Sequence, residues 1–351
     1  MKIGSREIGS HARPYLIAEM SGNHNRSIDR ALAIIDAAAA AGADAIKLQT
    51  YTADTMTIDS GAPGFVIEDP NSLWAGRRLY DLYAEAATPW DWHPRLIEHA
   101  RSLGLECFST PFDESAVDFL EELAVPAYKI ASFECTDLAL IRRVARTGKP
   151  MIISTGMATL AEIDDAVRAA RGAGARDIVL LKCTSTYPAT AENSNVRTIP
   201  ALREAFAVEA GLSDHTMGCG AALAAVALGA VMIEKHFTLR RADGGVDSAF
   251  SMEPDEFALL RAESERAWQS LGTVRFGSMR AEEGSKQFRR SLYAVRDIPA
   301  GALLTSDNVR AIRPGFGLAP KHLDEVLGQR AGVAISAGTP LDWPLLRARA
   351  A

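Results

Sequence analysis

The sequence predicts a (β/α)8 TIM barrel followed by a small β-rich domain, and three observations support this prediction. Short apolar runs that end in polar residues alternate with segments of helical length, and about eight such pairs fill roughly 270 residues, which suits this barrel. No glycine-rich dinucleotide loop follows the first apolar run, which argues against the alternative, a doubly wound sheet. From Ser291 the composition changes to short β-type runs between glycine and proline turns.

The predicted strands are short apolar runs, and the predicted helices begin or end at residues suited to those ends. Ser27 can cap the first helix, which continues to Ala41 and stops at Gly42. The strands are predicted at residues 15–20, 45–50, 105–110, 127–132, 150–156 and 177–183 and in the two runs that end at His215 and His236. The other helices are predicted at residues 89–103, 114–123, 138–147, 160–171, 200–206, 221–228 and 254–271.

Two stretches interrupt the alternation. Residues 52–88 lack clear periodicity and contain Trp74 and Tyr80, and we expect a long insertion over the site, because long loops in compact domains are usually functional. Residues 273–290 are predicted to be a linker between a barrel domain at 1–272 and a C-terminal domain at 291–351.

The C-terminal domain is predicted to contain strands at 292–296 and 333–335 and a short helix at 324–327. About 60 residues is close to the lower size limit for independent stability, and the domain is therefore expected to pack on another surface.

Composition excludes several classes of protein. The chain has 351 residues and a formal charge of -6, which gives no reason to expect a nucleic-acid or membrane-surface partner. No apolar run approaches the roughly 20 residues of a membrane span, and no secretion signal is visible at the N-terminus. The four cysteines show no metal-binding or disulfide spacing, which favours reduced thiols in the cytoplasm.

Two histidines lie where consecutive predicted strands give way to loops. Residues two apart in a strand share a face, which places Ser213 with His215 and Glu234 with His236 on matching sides. If these strands are parallel neighbours, two imidazoles meet at their C-terminal ends, an arrangement suited to a divalent metal or an anion. The alternative is that each histidine only caps a strand and hydrogen-bonds backbone.

Polar residues recur at the C-terminal ends of the other predicted strands, where catalytic residues of this fold arise. They are Glu19, Lys47, Gln49, Thr110, Lys129, Ser132, Ser154, Thr155, Lys182 and Thr184. Lysines and hydroxyls together suit a phosphate group. For a single inward lysine the alternative is a salt bridge to an inward carboxylate such as Glu19. Two lysines and several hydroxyls exceed that need, which favours an anionic ligand.

The lysines also raise a different mechanism. A barrel-strand lysine with a lowered pKa, such as Lys129 or Lys182, can act as a covalent nucleophile in a Schiff-base aldolase. The histidine pair is not needed for that chemistry, whereas a metal-assisted reaction uses every feature.

The motifs at these strand ends resemble those of the sialic acid synthase family over nearly the whole chain. They are IAEMSGNHN (17–25), AIKLQT (45–50), CFSTPF (107–112), YKIAS (128–132), STGM (154–157), LSDHT (212–216) and IEKHFT (233–238). SLY (291–293) and VRAIRP (309–314) resemble the antifreeze-like SAF domain of the same enzymes. One departure is Arg26, where the family commonly has glycine.

The resemblance implies condensation of phosphoenolpyruvate with an amino-sugar aldehyde to give a nine-carbon sugar acid. It implies a divalent metal, usually Mn²⁺ with Mg²⁺ or Co²⁺ as alternatives, held by His215 and His236. Phosphoenolpyruvate would be held by Lys47, Thr110, Lys129, Ser132, Ser154 and Ser213. The sugar would face Glu19, Gln49 and Asp247. Either Glu19 or Glu234 would act as base. Arg313 would reach the sugar in the barrel of the partner subunit, because family members form domain-swapped homodimers.

Within the family, the pseudaminic acid synthase branch is most similar. The supporting motifs are LQTYTAD (48–54), LWAGR (73–77), LYDLY (79–83) and RADGGVDSAFS (241–251). This branch uses 2,4-diacetamido-2,4,6-trideoxy-altrose, and the alternatives are N-acetylneuraminate or legionaminic acid synthesis by the same mechanism. A non-catalytic sugar- or phosphate-binding protein is the other alternative. It is disfavoured because Glu19, Lys47, Lys129 and both histidines are present.

Overall fold

The first part of the chain is a closed barrel of eight parallel strands, as predicted. The computed structural model describes residues 1–347. A hairpin that the sequence analysis did not predict, β1 (Lys2–Ile3) and β2 (Arg6–Glu7), precedes the barrel. The barrel strands are β3 (Tyr15–Glu19), β4 (Ala45–Thr50), β5 (Glu106–Pro111), β6 (Tyr128–Ile130), β7 (Met151–Ser154), β8 (Ile178–Cys183), β9 (Glu209–Asp214) and β10 (Met232–His236). Because β10 pairs with β3, the sheet closes, and a doubly wound sheet is excluded.

The helices lie close to their predicted positions, except for α2 and α3, which were not predicted. They are α1 (Ile28–Ala40), α2 (Ala53–Met56), α3 (Leu79–Ala86), α4 (His93–Ser102), α5 (Glu114–Glu122), α6 (Leu138–Ala145), α7 (Leu160–Gly172), α8 (Thr198–Phe206), α9 (Gly220–Ala227) and α10 (Pro254–Leu271). The predicted cap of α1 is present, since the Ser27 hydroxyl accepts a hydrogen bond from the backbone N–H of Arg30. Its buried side chains include Ile34 and Ile35, which join the main core.

Most barrel strands begin with apolar residues, and several end with polar ones. Strand β10 shows the pattern, because Met232 and Ile233 are followed by Glu234, Lys235 and His236, all of them buried. The C-terminal ends of the strands in a barrel of this type meet at one rim. The strand sequences therefore gather polar side chains at that rim.

The insertion at residues 52–88 contains two helices that the sequence analysis did not assign. Helix α2 has only four residues, with Thr52 as its cap, and α3 buries only Leu82 and Ala86. Such short elements with few buried positions leave little apolar periodicity in the sequence, which explains why they were missed.

The described residues divide into two compact units, one at residues 1–272 and one that begins at residue 273. In the second unit β11 (Ser291–Ala294) pairs antiparallel with β12 (Val309–Ile312). It also contains α11 (Leu323–Val326), β13 (Arg330–Ala331) and β14 (Leu346–Arg347). A nine-residue 3-10 helix occupies Arg280–Phe288, within the predicted linker.

One predicted strand of this unit was wrong. Residues 333–335 form no strand, because only Ile335 pairs, through an isolated bridge with Ile298. The buried core of the second unit includes Leu292, Leu304 and Val309. Residues 348–351 of the predicted C-terminal domain lie outside the described residues.

Two further sequence expectations can be compared with the structure. Cys107, Cys135, Cys183 and Cys219 are free thiols, as their spacing indicated. Within residues 1–347, no helix is both long enough and apolar enough to cross a membrane.

Candidate active site

The polar strand ends surround a cavity of about 330 Å³ at the rim of the barrel. Ten of the residues selected from the sequence line it: Lys47, Gln49, Lys129, Ser132, Ser154, Ser213, His215, Glu234, His236 and Asp247. The insertion lines it as well, through Met56, Ile67, Trp74, Leu79, Leu82, Tyr83 and Ala86. The prediction that the insertion lies over the site is therefore confirmed.

Lys47 joins two buried carboxylates. Its Nζ lies 2.9 Å from Glu19 Oε2 and 3.4 Å from Glu234 Oε1, and it donates a 3.1 Å hydrogen bond to the Thr110 hydroxyl. The salt bridge to Glu19 that sequence analysis kept as an alternative is thus present. Two lysines face two glutamates here, and the charges of the lysines therefore do not by themselves require an anionic ligand.

Glu19 and Thr110 do not line the cavity. Glu19 is fully buried, and its Oε1 accepts a 3.0 Å hydrogen bond from the Gln49 amide. Direct contact of Glu19 or Thr110 with a ligand, as the resemblance implied, has no support in this geometry. Both residues instead orient the neighbouring Lys47. Burial raises the pKa of Glu19, although the Lys47 ammonium opposes that shift.

Lys129 is the second buried ammonium of the cavity. Its Nζ donates to the Ser154 hydroxyl at 2.7 Å and to the Ile130 carbonyl at 3.1 Å, and lies 3.8 Å from Glu234 Oε1. Burial lowers the pKa of Lys129. Burial also tends to raise the pKa of Glu234, but Lys129 and Lys47 outweigh it, and the net shift is downward. Glu234 therefore favours its ionised form.

Lys182, the other candidate nucleophile, does not line the cavity. Its neighbour Cys183 does, and successive strand residues point to opposite faces. The Lys182 ammonium instead donates a 3.0 Å hydrogen bond to Thr184 Oγ1. The expectation that Lys182 belongs to the site was wrong.

The two predicted histidines meet in the cavity, with ring centroids 5.3 Å apart. His215 Nδ1 donates a 3.0 Å hydrogen bond to the Thr184 carbonyl. Burial disfavours the charged form of His215, but hydrogen bonding and charge from the Cys183 thiol outweigh it and raise the pKa of His215. His236 Nδ1 is buried and has no hydrogen-bond partner within residues 1–347; it lies 3.7 Å from Asp247 Oδ2. Burial, together with the charge of His215, lowers the pKa of His236 well below its ordinary value. The alternative, in which each histidine only hydrogen-bonds backbone, therefore applies in part to His215 and does not apply to His236.

These donors fit a divalent metal that retains open positions. Neutral imidazole is a common metal ligand, and Glu234 Oε2 is also buried without a hydrogen-bond partner in the described part of the chain. No group of three or more His, Cys, Asp or Glu side chains that could hold a metal ion occurs within residues 1–347. The chain thus offers an imidazole pair rather than a complete ligand cage.

The sequence analysis missed several residues that line the cavity. Some of them lie in loops, and others are strand residues adjacent to one that had been selected. Tyr187 lines the cavity, with its ring centroid 4.6 Å from that of His215. Phe250 does not line the cavity, but its ring packs against His236 with a centroid distance of 4.9 Å. Burial raises the pKa of the Cys183 thiol, but hydrogen bonding and charge from His215 bring it down to about 7. Strand alternation beside Lys182 could have identified Cys183, whereas no sequence pattern indicated the two aromatic rings.

Asp247 is held in place by the loop that follows β3. The Ser21 hydroxyl donates to its carboxylate, and the Ser251 hydroxyl donates to its backbone carbonyl at 2.7 Å. Asn23 donates to the same Ser251 hydroxyl at 2.9 Å.

Arg26, the departure from the family pattern, has φ +54°, a conformation that favours glycine, and its guanidinium donates to the Ala84 carbonyl. An arginine at this position therefore makes a contact with the insertion that a glycine could not make.

Arg313 belongs to the second unit. It directly follows β12 and is exposed.

A buried ion pair on the other face of the strands connects the two histidine-bearing segments. Lys235 Nζ lies 3.0 Å from Asp214 Oδ2, and it also donates to the Thr216 carbonyl. Both side chains are at most 2% exposed. Because Lys235 precedes His236 and Asp214 precedes His215, this pair fixes the relative position of the two imidazoles.

Family models match both parts of the chain. The NeuB family model matches residues 34–276, and the SAF domain model matches residues 289–347.

Curated relatives match almost end to end. Pseudaminic acid synthase from Campylobacter jejuni is 43% identical, with coverage of 97% of this chain and 98% of the relative. Pseudaminic acid synthase from Helicobacter pylori is 44% identical, with coverage of 93% and 96%. N,N'-diacetyllegionaminic acid synthase from Legionella pneumophila is 35% identical, with coverage of 98% of each. Among solved structures, an N-acetylneuraminic acid synthetase from Leptospira borgpetersenii has a TM-score of 0.73 at 31% identity, covering 81% of this chain and 94% of that one.

The buried pair of Lys235 and Asp214 gives a stability prediction. Lys235→Met leaves the Asp214 carboxylate buried without its cation, and we expect a loss of about 3–5 kcal/mol in the free energy of unfolding. Urea unfolding followed by circular dichroism measures it. The double variant Lys235→Met/Asp214→Asn should recover part of the loss, because it removes the unpaired charge.

The matched control is Arg168→Met, which breaks an exposed pair with Asp164. It should cost less than about 1 kcal/mol. Equal unfolding midpoints for the two single variants would contradict the role assigned to the buried pair.

Proposed function

The chain belongs to the NeuB family, and from this we propose that it condenses phosphoenolpyruvate with 2,4-diacetamido-2,4,6-trideoxy-altrose to form pseudaminic acid and phosphate. One observation carries the proposal: the two lysines, two histidines and Glu234 selected from the sequence line a single cavity. The choice of sugar is supported by the greater identity to the pseudaminic acid synthases than to the legionaminic acid synthase.

Phosphoenolpyruvate is assigned to the lysine side of the cavity. Lys129 and Lys47 supply positive charge, and the Ser132, Ser154 and Ser213 hydroxyls supply hydrogen bonds to phosphate or carboxylate oxygens. The lysines act by positioning and by electrostatic stabilisation, since the phosphate charge is present before and after reaction.

The histidine pair is assigned to a divalent metal, with Mn²⁺ preferred and Mg²⁺ or Co²⁺ as alternatives. Bound there, the metal would act as a Lewis acid toward the aldehyde oxygen of the open-chain sugar. His215 and His236 would be the protein ligands, and the Thr184 carbonyl would hold the His215 ring in the required tautomer.

The reaction begins with attack of phosphoenolpyruvate C3 on the aldehyde carbon, which leaves positive character at C2. Water adds at C2, and the tetrahedral intermediate collapses with loss of phosphate. Between the two glutamates, Glu234 is better placed to accept the proton of this water, because its side chain lines the cavity, whereas Glu19 is enclosed. Gln49 and Asp247 are assigned to the sugar.

The acting unit is proposed to be a domain-swapped homodimer in which Arg313 of one subunit reaches the sugar bound in the other barrel. Two observations support it. Arg313 is exposed on its own unit. Met157 and Leu160, which follow β7, are 60% and 66% exposed, and exposed large apolar side chains can mark an interaction surface.

A Schiff-base mechanism is the second candidate, and the lowered pKa of Lys129 favours it. Borohydride reduction in the presence of substrates would trap a covalent adduct on Lys129 in that case. Condensation with phosphoenolpyruvate predicts no adduct.

The first prediction for this function concerns turnover. The purified chain should release phosphate from phosphoenolpyruvate with the trideoxy-altrose sugar, lose activity with a chelator and regain it with Mn²⁺. N-acetylmannosamine serves as the comparison sugar. Release only with N-acetylmannosamine would overturn the choice of sugar, and binding of phosphoenolpyruvate without release would support the non-catalytic alternative.

The second prediction concerns the histidines. His236→Ala should weaken Mn²⁺ binding by at least about 100-fold, measured by calorimetry or electron paramagnetic resonance without substrate, because it removes one of two imidazole ligands. The circular dichroism spectrum should be unchanged. His99→Ala, which removes a partly exposed histidine paired with Asp36, is the control. Unaltered Mn²⁺ affinity of His236→Ala would refute the ligand assignment.

The third prediction concerns the subunits. His236→Ala and Arg313→Ala are each expected to be inactive, but unfolding and refolding them together should restore turnover. In a mixed dimer one barrel retains His236 and receives an intact Arg313 from its partner. Were Arg313 to act on its own barrel, every site in the mixture would carry one defect, and no activity would return.

A further inference from the structure

The cavity has a polar side and an apolar side that come from different parts of the chain. The strand ends supply the lysines, histidines and carboxylates, whereas the insertion at residues 52–88 supplies almost only apolar side chains. The side chains that it supplies are Met56, Ile67, Trp74, Leu79, Leu82, Tyr83 and Ala86, and among them only the Tyr83 hydroxyl and the Trp74 indole N–H are polar. The charged groups account for the chemistry proposed above, but nothing in that chemistry requires the apolar wall.

Trp74 is placed at the junction of the two sides. Its indole N–H donates a 2.9 Å hydrogen bond to the Val246 carbonyl, which uses its single polar group. Its ring lies 5.8 Å from the Tyr187 ring, which in turn lies 4.6 Å from the His215 ring, by centroids. Trp74 therefore presents only an apolar surface to the cavity, one ring further from the histidines than Tyr187.

A sugar that reacts in this cavity has its aldehyde carbon near the histidines and phosphoenolpyruvate. Its other end must extend toward residues that do not hold the reacting groups. The insertion residues are of this kind. A hydroxyl at that end would lose water and find no hydrogen-bond donor or acceptor on Trp74, Ile67 or Leu79.

We propose that Trp74, Ile67 and Leu79 form a subsite for a methyl group at the far end of the acceptor sugar, and that Trp74 determines the preference for a 6-deoxy sugar over its 6-hydroxy counterpart. This proposal rests on the proposed function and assigns the substrate class of the same site. An apolar pocket rejects an added hydroxyl only moderately, and the preference in kcat/KM is expected to be about 10- to 200-fold.

Trp74 also positions the backbone beside Asp247. Its hydrogen bond holds Val246, which precedes Asp247. The effect of losing this hydrogen bond has to be distinguished from the effect of losing the apolar surface. Trp74→Phe removes the N–H but keeps an aromatic surface, whereas Trp74→Ala removes both. The matched control is Trp268→Phe, which deletes a comparable 3.2 Å indole hydrogen bond to the Ser10 carbonyl, away from the cavity lining.

The experiment measures kcat/KM for phosphate release with two sugars that differ only at C6: 2,4-diacetamido-2,4,6-trideoxy-altrose and 2,4-diacetamido-2,4-dideoxy-altrose. The unaltered protein should prefer the 6-deoxy sugar. Trp74→Ala should reduce this ratio at least tenfold through the KM of the deoxy sugar, with the KM of phosphoenolpyruvate unchanged. Trp74→Phe and Trp268→Phe should keep the ratio.

The outcomes separate the two proposals. If Trp74→Ala lowers kcat/KM equally for both sugars, or leaves both unchanged, Trp74 does not determine the preference and the subsite is overturned, while the proposed function stands. If the unaltered protein prefers the hydroxylated sugar, the subsite is likewise overturned. If it releases phosphate with neither sugar, the proposed function fails first and the subsite with it.

Discussion

The ionic contact of Lys47 with Glu19 and Glu234 is the interaction on which the site depends. The three residues lie on neighbouring strands β4, β3 and β10, and the pairing of β3 with β10 closes the barrel. Charges buried at this depth are tolerated only when they are paired, and removing one partner of such a pair typically costs about 3–5 kcal/mol. Barrel closure and the arrangement of the charged groups are therefore coupled.

The second constraint is that the strands supply the charged groups of the cavity, whereas the insertion supplies its apolar side chains. Strand ends hold charged groups in fixed positions because each strand is paired on both sides and buried. Rigid placement suits groups that must stabilise charge during reaction. The insertion supplies mainly apolar contact area. The groups assigned to the reaction and the side chains assigned to the methyl subsite therefore come from different parts of the chain.

The sequence predicted the barrel well because each element depends on local patterns. Strand β4 was placed at its observed bounds, and α1 was placed by its cap at Ser27. Polar residues at strand ends also identified most of the cavity lining. Sequence could not show that Lys182 points away, that Glu19 is enclosed, or that Trp74 reaches Val246, because these facts depend on which side chains meet across distant loops.

The most direct test of the proposed chemistry follows the oxygen atom that bridges C2 and phosphorus in phosphoenolpyruvate. The substrate is labelled at that position with a heavy oxygen isotope, and the phosphate released on reaction with the sugar is analysed by mass spectrometry. Addition of water at C2 followed by loss of phosphate breaks the carbon–oxygen bond, and the label should appear in phosphate. Unlabelled phosphate would mean that water attacks phosphorus, and it would contradict the mechanism assigned to this cavity.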